Sequence, residues 1–191
     1  MSIKSKKEFQ NLSSHWDRRN EARIEYEQEL RNKIQQKIIG YLEKAKNDFE
    51  NYFTEENFTI EKNKREISAV DHNLRIQIAF ERPNPNVKYE LPLAIIENGR
   101  NEFQIVIHSF EKIYFPKFSI VREKPDVKEF LKDDLDKMDQ EMIFIQDLID
   151  RLYDTKFGYS YYRAENKSPN YDEMIRYESI KQILDKLLKE A

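Results

Sequence analysis

Aromatic and cationic side chains crowd into one short stretch of this chain. Phe157, Tyr159, Tyr161 and Tyr162 lie between Lys156 and Arg163. Aromatic faces stack on bases while interleaved cations hold phosphates, so the pattern could serve a single-stranded nucleic acid. Tyr and Arg are also favoured anchors of protein interfaces, because they are large and amphipathic. The ordinary alternative is that two of the rings close the hydrophobic core. Arg18, Arg19 and Arg23 could extend a nucleic-acid surface. Residues 126–154 oppose it, with ten Asp and Glu against four Lys and Arg, a net of −6. Such a surface repels phosphates and suits a basic protein partner. Asp133, Asp136 and Asp139 are its candidate contacts, although most charge runs are simply solvated helix faces.

Other chemistries find no footing. His15, His72 and His108 are far apart and none has the spacing of a metal pair such as H-x-x-x-H. Asp71 beside His72 could join a serine in a hydrolase site, but no G-x-S-x-G elbow holds one. The acids of the central region, Glu66, Asp71, Glu81, Glu90, Glu97 and Glu102, do not fall in the D…E-x-K arrangement that holds a metal for nuclease chemistry. The only glycines are Gly40, Gly99 and Gly158. No phosphate-cradling cluster is therefore possible, which argues against a P-loop or a dinucleotide fingerprint. The absence of cysteine removes disulfides, thiolate metal sites and thiol nucleophiles. The sequence thus assigns no catalytic residue, no metal ligand and no cofactor.

The elements that carry these residues follow from periodicity. Ser14 with Asp17 resembles a capping box, and residues 1–12 read as a frayed lead-in to a helix running to about Phe53. From Leu30 through Ile34, Ile38, Tyr41, Leu42, Ala45, Phe49, Tyr52 and Phe53 its apolar stripe is continuous; before Leu30, where Ile24 stands among charges, the stripe is thin. A helix of about 40 residues spans about 60 Å, whereas a compact domain of this chain length is about 40 Å across. Either the helix bends, near Gly40, or its polar first half projects and offers Trp16 and Tyr26 to a partner.

Residues 58–121 read as strands. Leu74, Ile76, Ile78 and Phe80 alternate with polar residues, as do Val87, Tyr89, Leu91, Leu93 and Ile95. Arg82 to Asn86 breaks the chain, and Pro92 points to an edge strand or a bulge. Asn98-Gly99 predicts a type I′ hairpin turn. Further strands are expected within Phe58–Val70, around a turn at Lys62-Asn63-Lys64, and over Phe115–Val121. Pro125-Asp126 opens a helix to about Tyr153. Its residues Leu131, Leu135, Met138, Met142, Ile145, Ile149 and Leu152 follow the alternating 4 and 3 spacing of a coiled-coil seam. Ile143, Phe144 and Leu148 widen that face, which predicts packing on the sheet or the first helix, with a homodimer contact as the other reading. Residues 154–168 read as a loop or short strand. Ser168-Pro169 caps a last helix, with Met174, Tyr177, Ile180, Leu184 and Leu187 as its buried stripe.

The fold class is α+β: a meandering antiparallel sheet of 4–6 strands packed with long N-terminal, middle and C-terminal helices. The organisation is a helix over 1–53 and a core over 54–191, one domain overall. Charged residues reach 36% but 13% are aromatic, which excludes a disordered chain. No apolar run suits a signal peptide or a membrane helix, so a cytoplasmic protein that does not enter membranes is expected. Abundant Lys, Asn and Ile suggests a bacterial or phage source. The expected function is non-catalytic protein binding: an adaptor, an inhibitor or immunity-type protein, or a small subunit of an assembly. Trp16, Tyr26, Asp133, Asp136, Asp139, Tyr159, Tyr161, Tyr162 and Arg163 are the candidate contacts. A nucleic-acid-binding or nucleic-acid-processing component is the alternative.

Overall fold

The computed structural model describes residues 3–80, 88–97, 99–109, 127–165 and 174–190. Helix α1 covers Ile3–Glu55 without interruption, so it starts eleven residues before the Ser14 capping signal and continues through Gly40. An internal Ser or Gly costs a helix at most about 1 kcal/mol, too little to break one whose flanks are held by packing. The chain forms two compact units: residues 1–33 with 113–154, and residues 34–112 with 155–191.

In the first unit α1 lies beside helix α2 (Val127–Leu152). Trp16 meets Asp134 and, three residues on, Arg19 meets Asp139. Both helices therefore advance in the same direction, which makes the pair parallel. Leu135, Met138, Met142, Ile145, Ile149 and Leu152 are buried, as the seam spacing predicts. The inward positions of α1 are less apolar: Trp16, Arg19, Arg23 and Tyr26 are half-buried and only Leu30 is fully so.

The second unit is a six-stranded antiparallel meander in sequential order. Its strands are β1 (Thr59–Lys62), β2 (Glu66–Asp71), β3 (Leu74–Ala79), β4 (Lys88–Ile96), β5 (Arg100–Ser109) and β6 (Phe157–Arg163). The register puts Ile67, Ala69, Ile76, Ile78, Leu91, Leu93, Ile95, Phe103 and Ile105 on one face, and these are buried. The later part of α1 supplies Ile38, Leu42, Phe49 and Phe53, likewise buried; each such side chain contributes about 1.5–3 kcal/mol when removed from water. Helix α3 (Ile180–Glu190) buries Ile180, Ile183, Leu184 and Leu187 and meets α1 where the Tyr52 hydroxyl donates to Asp185 at 3.0 Å.

The end of α1 shows local sequence making local structure. Asn57 has φ 65°. The Phe58 N–H donates to the Phe53 carbonyl at 2.9 Å and the Asn57 N–H to Thr54 at 3.1 Å. That pair of bonds is a Schellman motif, and Asn is the residue after Gly that best tolerates its left-handed position. The accompanying apolar contact is present too, with the rings of Phe53 and Phe58 5.0 Å apart.

Three local expectations are corrected and one is resolved. Ile96 pairs with Arg100, leaving three residues between strands rather than two, and Gly99 has no positive φ; the type I′ turn does not form. Pro92 lies in an interior strand, not an edge. It is tolerated because the ladder with β3 ends at Leu93. Of the two readings of residues 154–168, loop or short strand, the strand is found: β6 pairs with β5 from Phe103–Arg163 to Ser109–Phe157. The last helix begins at Ile180, and Tyr177 is not helical: it exchanges backbone hydrogen bonds of 2.9 and 2.7 Å with Tyr159. A paired strand edge outweighs the weak helical preference of a tyrosine. The expectations at Arg82–Asn86, Phe115–Val121 and Ser168-Pro169 lie outside the described residues.

His72 occupies a two-residue turn between Asp71 and Leu74 with φ 49°, a region that costs a non-glycine residue about 1 kcal/mol. Its side chain is 91% exposed. His72→Gly is expected to raise stability by about 0.5–1 kcal/mol, read as a higher midpoint in thermal denaturation; a lowered midpoint would show that the Asp71 contact matters more than the backbone.

Candidate interaction surface

The structure brings Trp16, Tyr26 and Asp139 together on the first unit. The Trp16 Nε1–H donates to Asp134 Oδ2 at 2.7 Å, so this ring is anchored against α2 rather than left bare. Arg19 forms an ion pair with Asp139: Nη2 donates to Oδ2 at 3.4 Å, while Nε lies 3.1 Å from Oδ1 without hydrogen-bond geometry. Arg23 donates to Glu27 at 2.8 Å and to Asn20 at 3.0 Å. A polar band therefore runs along the side of α1 that faces α2.

Beside that band a cleft of about 690 Å³ opens between the two helices, lined by Arg19, Ala22 and Tyr26 from α1 and by Asp139, Met142, Ile143, Gln146, Asp147 and Asp150 from α2. Both sets repeat at three or four residues, because each is one face of a helix. Ala22 presents only a methyl group where larger residues would fill the space. Ile143 is 71% exposed. Asp147 pairs with Arg151 at 2.7 Å and Asp150 accepts from Gln146 at 2.8 Å; such exposed contacts are worth little.

The remaining candidates fall elsewhere. Asp133 and Asp136 lie on α2 outside the cleft lining, Asp133 half-buried and Asp136 exposed. Tyr159 is fully buried, its hydroxyl donating to the Tyr41 carbonyl at 2.7 Å, and burial with Asp48 nearby drives its phenol well above the usual range. It takes the core-closing position. Tyr161 packs edge-on to Phe103 and beside Tyr177, and Tyr162 is half-buried. Arg163 is exposed and 3.8 Å from Glu165. The rings of β6 thus do not stand in a common stacking platform. Arg19 and Arg23 are committed to acids of the same unit.

Sequence reasoning missed the partners inside the cleft: Ala22, Met142, Ile143, Gln146, Asp147 and Asp150. Only the widening of the α2 face at Ile143 signalled them. It also missed that His108 stands beside Ser160 (Nε2 to Oγ 2.9 Å), with the Ser160 hydroxyl donating to the Ile175 carbonyl at 2.8 Å. These residues sit on diagonal positions of paired strands, a relation invisible before the register is known. Ser160 is fully buried, out of reach of a substrate, and the pair fastens the segment around Ile175 to the sheet. Among the described residues no three His, Asp or Glu gather as metal ligands, and no helix is long and apolar enough to cross a membrane. Comparison of the chain with family models, with curated proteins and with solved structures finds no match.

One carboxylate of α2, Glu141, has a shifted protonation range. Burial pushes the Glu141 carboxyl from 4.5 up to about 7; Arg23 and Lys137 pull it down, while Asp134 and Glu27 raise it further. Because the folded value exceeds the unfolded one, the folded chain holds the extra proton between these limits. The contribution to stability is complete below about pH 4.5 and is lost as pH rises through about 7. Glu141→Gln keeps the shape and removes the charge. We expect it to raise stability at about pH 8 by about 1 kcal/mol, allowing for screening by water, and to flatten the decline in thermal midpoint from about pH 5 to 8. A variant whose pH profile runs parallel to that of the parent chain would refute this assignment.

Proposed function

We propose that this chain is a non-catalytic protein-binding protein that works in the cytoplasm as an adaptor, an inhibitor or immunity-type protein, or a small subunit of a larger assembly. One observation carries the reading: the open cleft between parallel helices, where Tyr26 and Met142 stand beside the exposed Ile143. Scattered exposed aliphatics are common. An exposed aliphatic on the wall of a concave surface, ringed by acids, has the anatomy of an interface, with an apolar centre and a polar rim. The second unit supports the reading by contrast: its aromatic strand is used for packing, and the serine beside His108 is fully buried.

Photo-crosslinking tests this in the cell that encodes the chain. A benzophenone side chain at position 143 should give a discrete adduct heavier than the chain by the mass of a different protein. The same group at Glu61, on the exposed strand β1, should not. Absence of any adduct at 143, or equal labelling at both positions, would sink the proposal.

A further inference from the structure

The cleft also restricts what kind of surface can enter it. On α2 its lining runs from Asp139 to Asp150, about 16 Å along the helix axis, and on α1 it runs from Arg19 to Tyr26. A channel of that length flanked by two parallel helices matches a third helix, which packs into such a groove at a distance of about 8–10 Å. A helix inserted there would place side chains spaced at i, i+3, i+4 and i+7 on Ala22, Tyr26, Met142 and Ile143.

Charge then selects among helices. Arg19 is tied to Asp139 at 3.1 Å, so the cation of the lining is already neutralised. Asp147 and Asp150 hold their carboxylates at one margin, where Asp147 pairs with Arg151 and Asp150 accepts from Gln146, both on the same helix. Exposed pairs of this kind exchange partners at little cost. A second copy of the chain would bring the same acidic helix to this margin, and like charges brought together at an interface oppose association. A cationic helix meets no such penalty.

Resting on the protein-binding reading above, we infer that the cleft takes one amphipathic helix of a partner protein, apolar on the face that meets Tyr26, Met142 and Ile143 and carrying Lys or Arg toward Asp147 and Asp150. The partner helix acts as the missing strand of a three-helix arrangement, and the acids set its orientation.

The test uses the full chain and three synthetic peptides of about 18 residues, long enough to be helical. One has Leu at i, i+3, i+4 and i+7 with Lys on the flanks. The second replaces each Lys by Glu, and the third scrambles the first so that no apolar face forms. Fluorescence anisotropy should show saturable binding of the first alone. Ile143→Glu should weaken it by about tenfold or more, since it places a charge where apolar area is buried. Asp147→Asn with Asp150→Asn should lower affinity and flatten its dependence on salt. Both sites are exposed, and unchanged circular dichroism will confirm folding. Absence of saturable binding by the Lys peptide, or equal binding by the Glu or scrambled peptide, overturns the inference. So does indifference to Ile143→Glu. Light scattering that finds a dimer of the parent chain, converted to monomer by Ile143→Glu, would identify a second copy as the occupant instead. If crosslinking at position 143 captures another protein while the Lys peptide fails, binding stands and only the stated partner chemistry falls.

Discussion

A single helix with two unlike stripes governs this structure. From Leu30 to Phe53, α1 buries an unbroken apolar series, none of it more than 5% exposed. Before Leu30, the positions that continue that series hold Trp16, Arg19, Arg23 and Tyr26, all half-buried. The first kind of stripe needs only apolar area opposite it, because the hydrophobic effect has no direction. The second kind needs specific partners at specific heights. The same helix therefore serves one unit by burial and the other by matched polar contacts, and the rest of each unit is arranged to meet that demand.

The matching is visible in α2. Its seam supplies methionine, leucine and isoleucine for packing, and interposes Asp134 and Asp139 where α1 presents an indole N–H and a guanidinium. Arg19 meets Asp139 through one hydrogen bond of 3.4 Å beside an ion-pair contact, and the Trp16 indole meets Asp134 at 2.7 Å. Pairs of this sort add little net stability, because removing charges from water offsets their attraction. Their effect is on register: sliding one helix along the other would leave each partner half-buried and unpaired, at a cost of about 1–3 kcal/mol apiece. Glu141 shows the other side of that arrangement. Burial raises its protonation range first, with Asp134 and Glu27 adding to the rise and Arg23 and Lys137 opposing it.

The parts of the fold that are local in sequence were legible in it. Period-2 alternation located β3 and β4, the heptad spacing located α2, and the apolar run after Leu30 located the part of α1 that seals the sheet. What failed depended on distant residues. Nothing near Tyr177 shows that its backbone pairs with Tyr159, and nothing near Pro92 shows that the ladder with β3 ends one residue short of it. The start of α1 was misplaced because a capping signal at Ser14 is worth only about 1 kcal/mol, while Trp16 and the arginines gain a partner in α2 that the sequence does not reveal. The candidate surface was legible in part for the same reason. Tyr26 and Asp139 could be picked by type. Ala22 could not, because its contribution is to be small at a place defined by another helix.

Ile143, Phe144 and Leu148 all widen the apolar face of α2 beyond a two-helix seam, and the structure uses them unequally. Leu148 is buried, Phe144 is 39% exposed and Ile143 is 71% exposed. A seam between two helices uses positions spaced alternately by three and four, and a face broader than that is the mark of a helix with more than one neighbour. The polar band of α1 points the same way. Were the pair complete in itself, an alanine at the open cleft beside the seam would leave apolar surface of α2 facing water without return. Ala22 opposite Met142 and Ile143 leaves a gap along a line where both helices present side chains. The gap and the surplus apolar width occur at the same height on the two helices, and a third element laid along that line would use both.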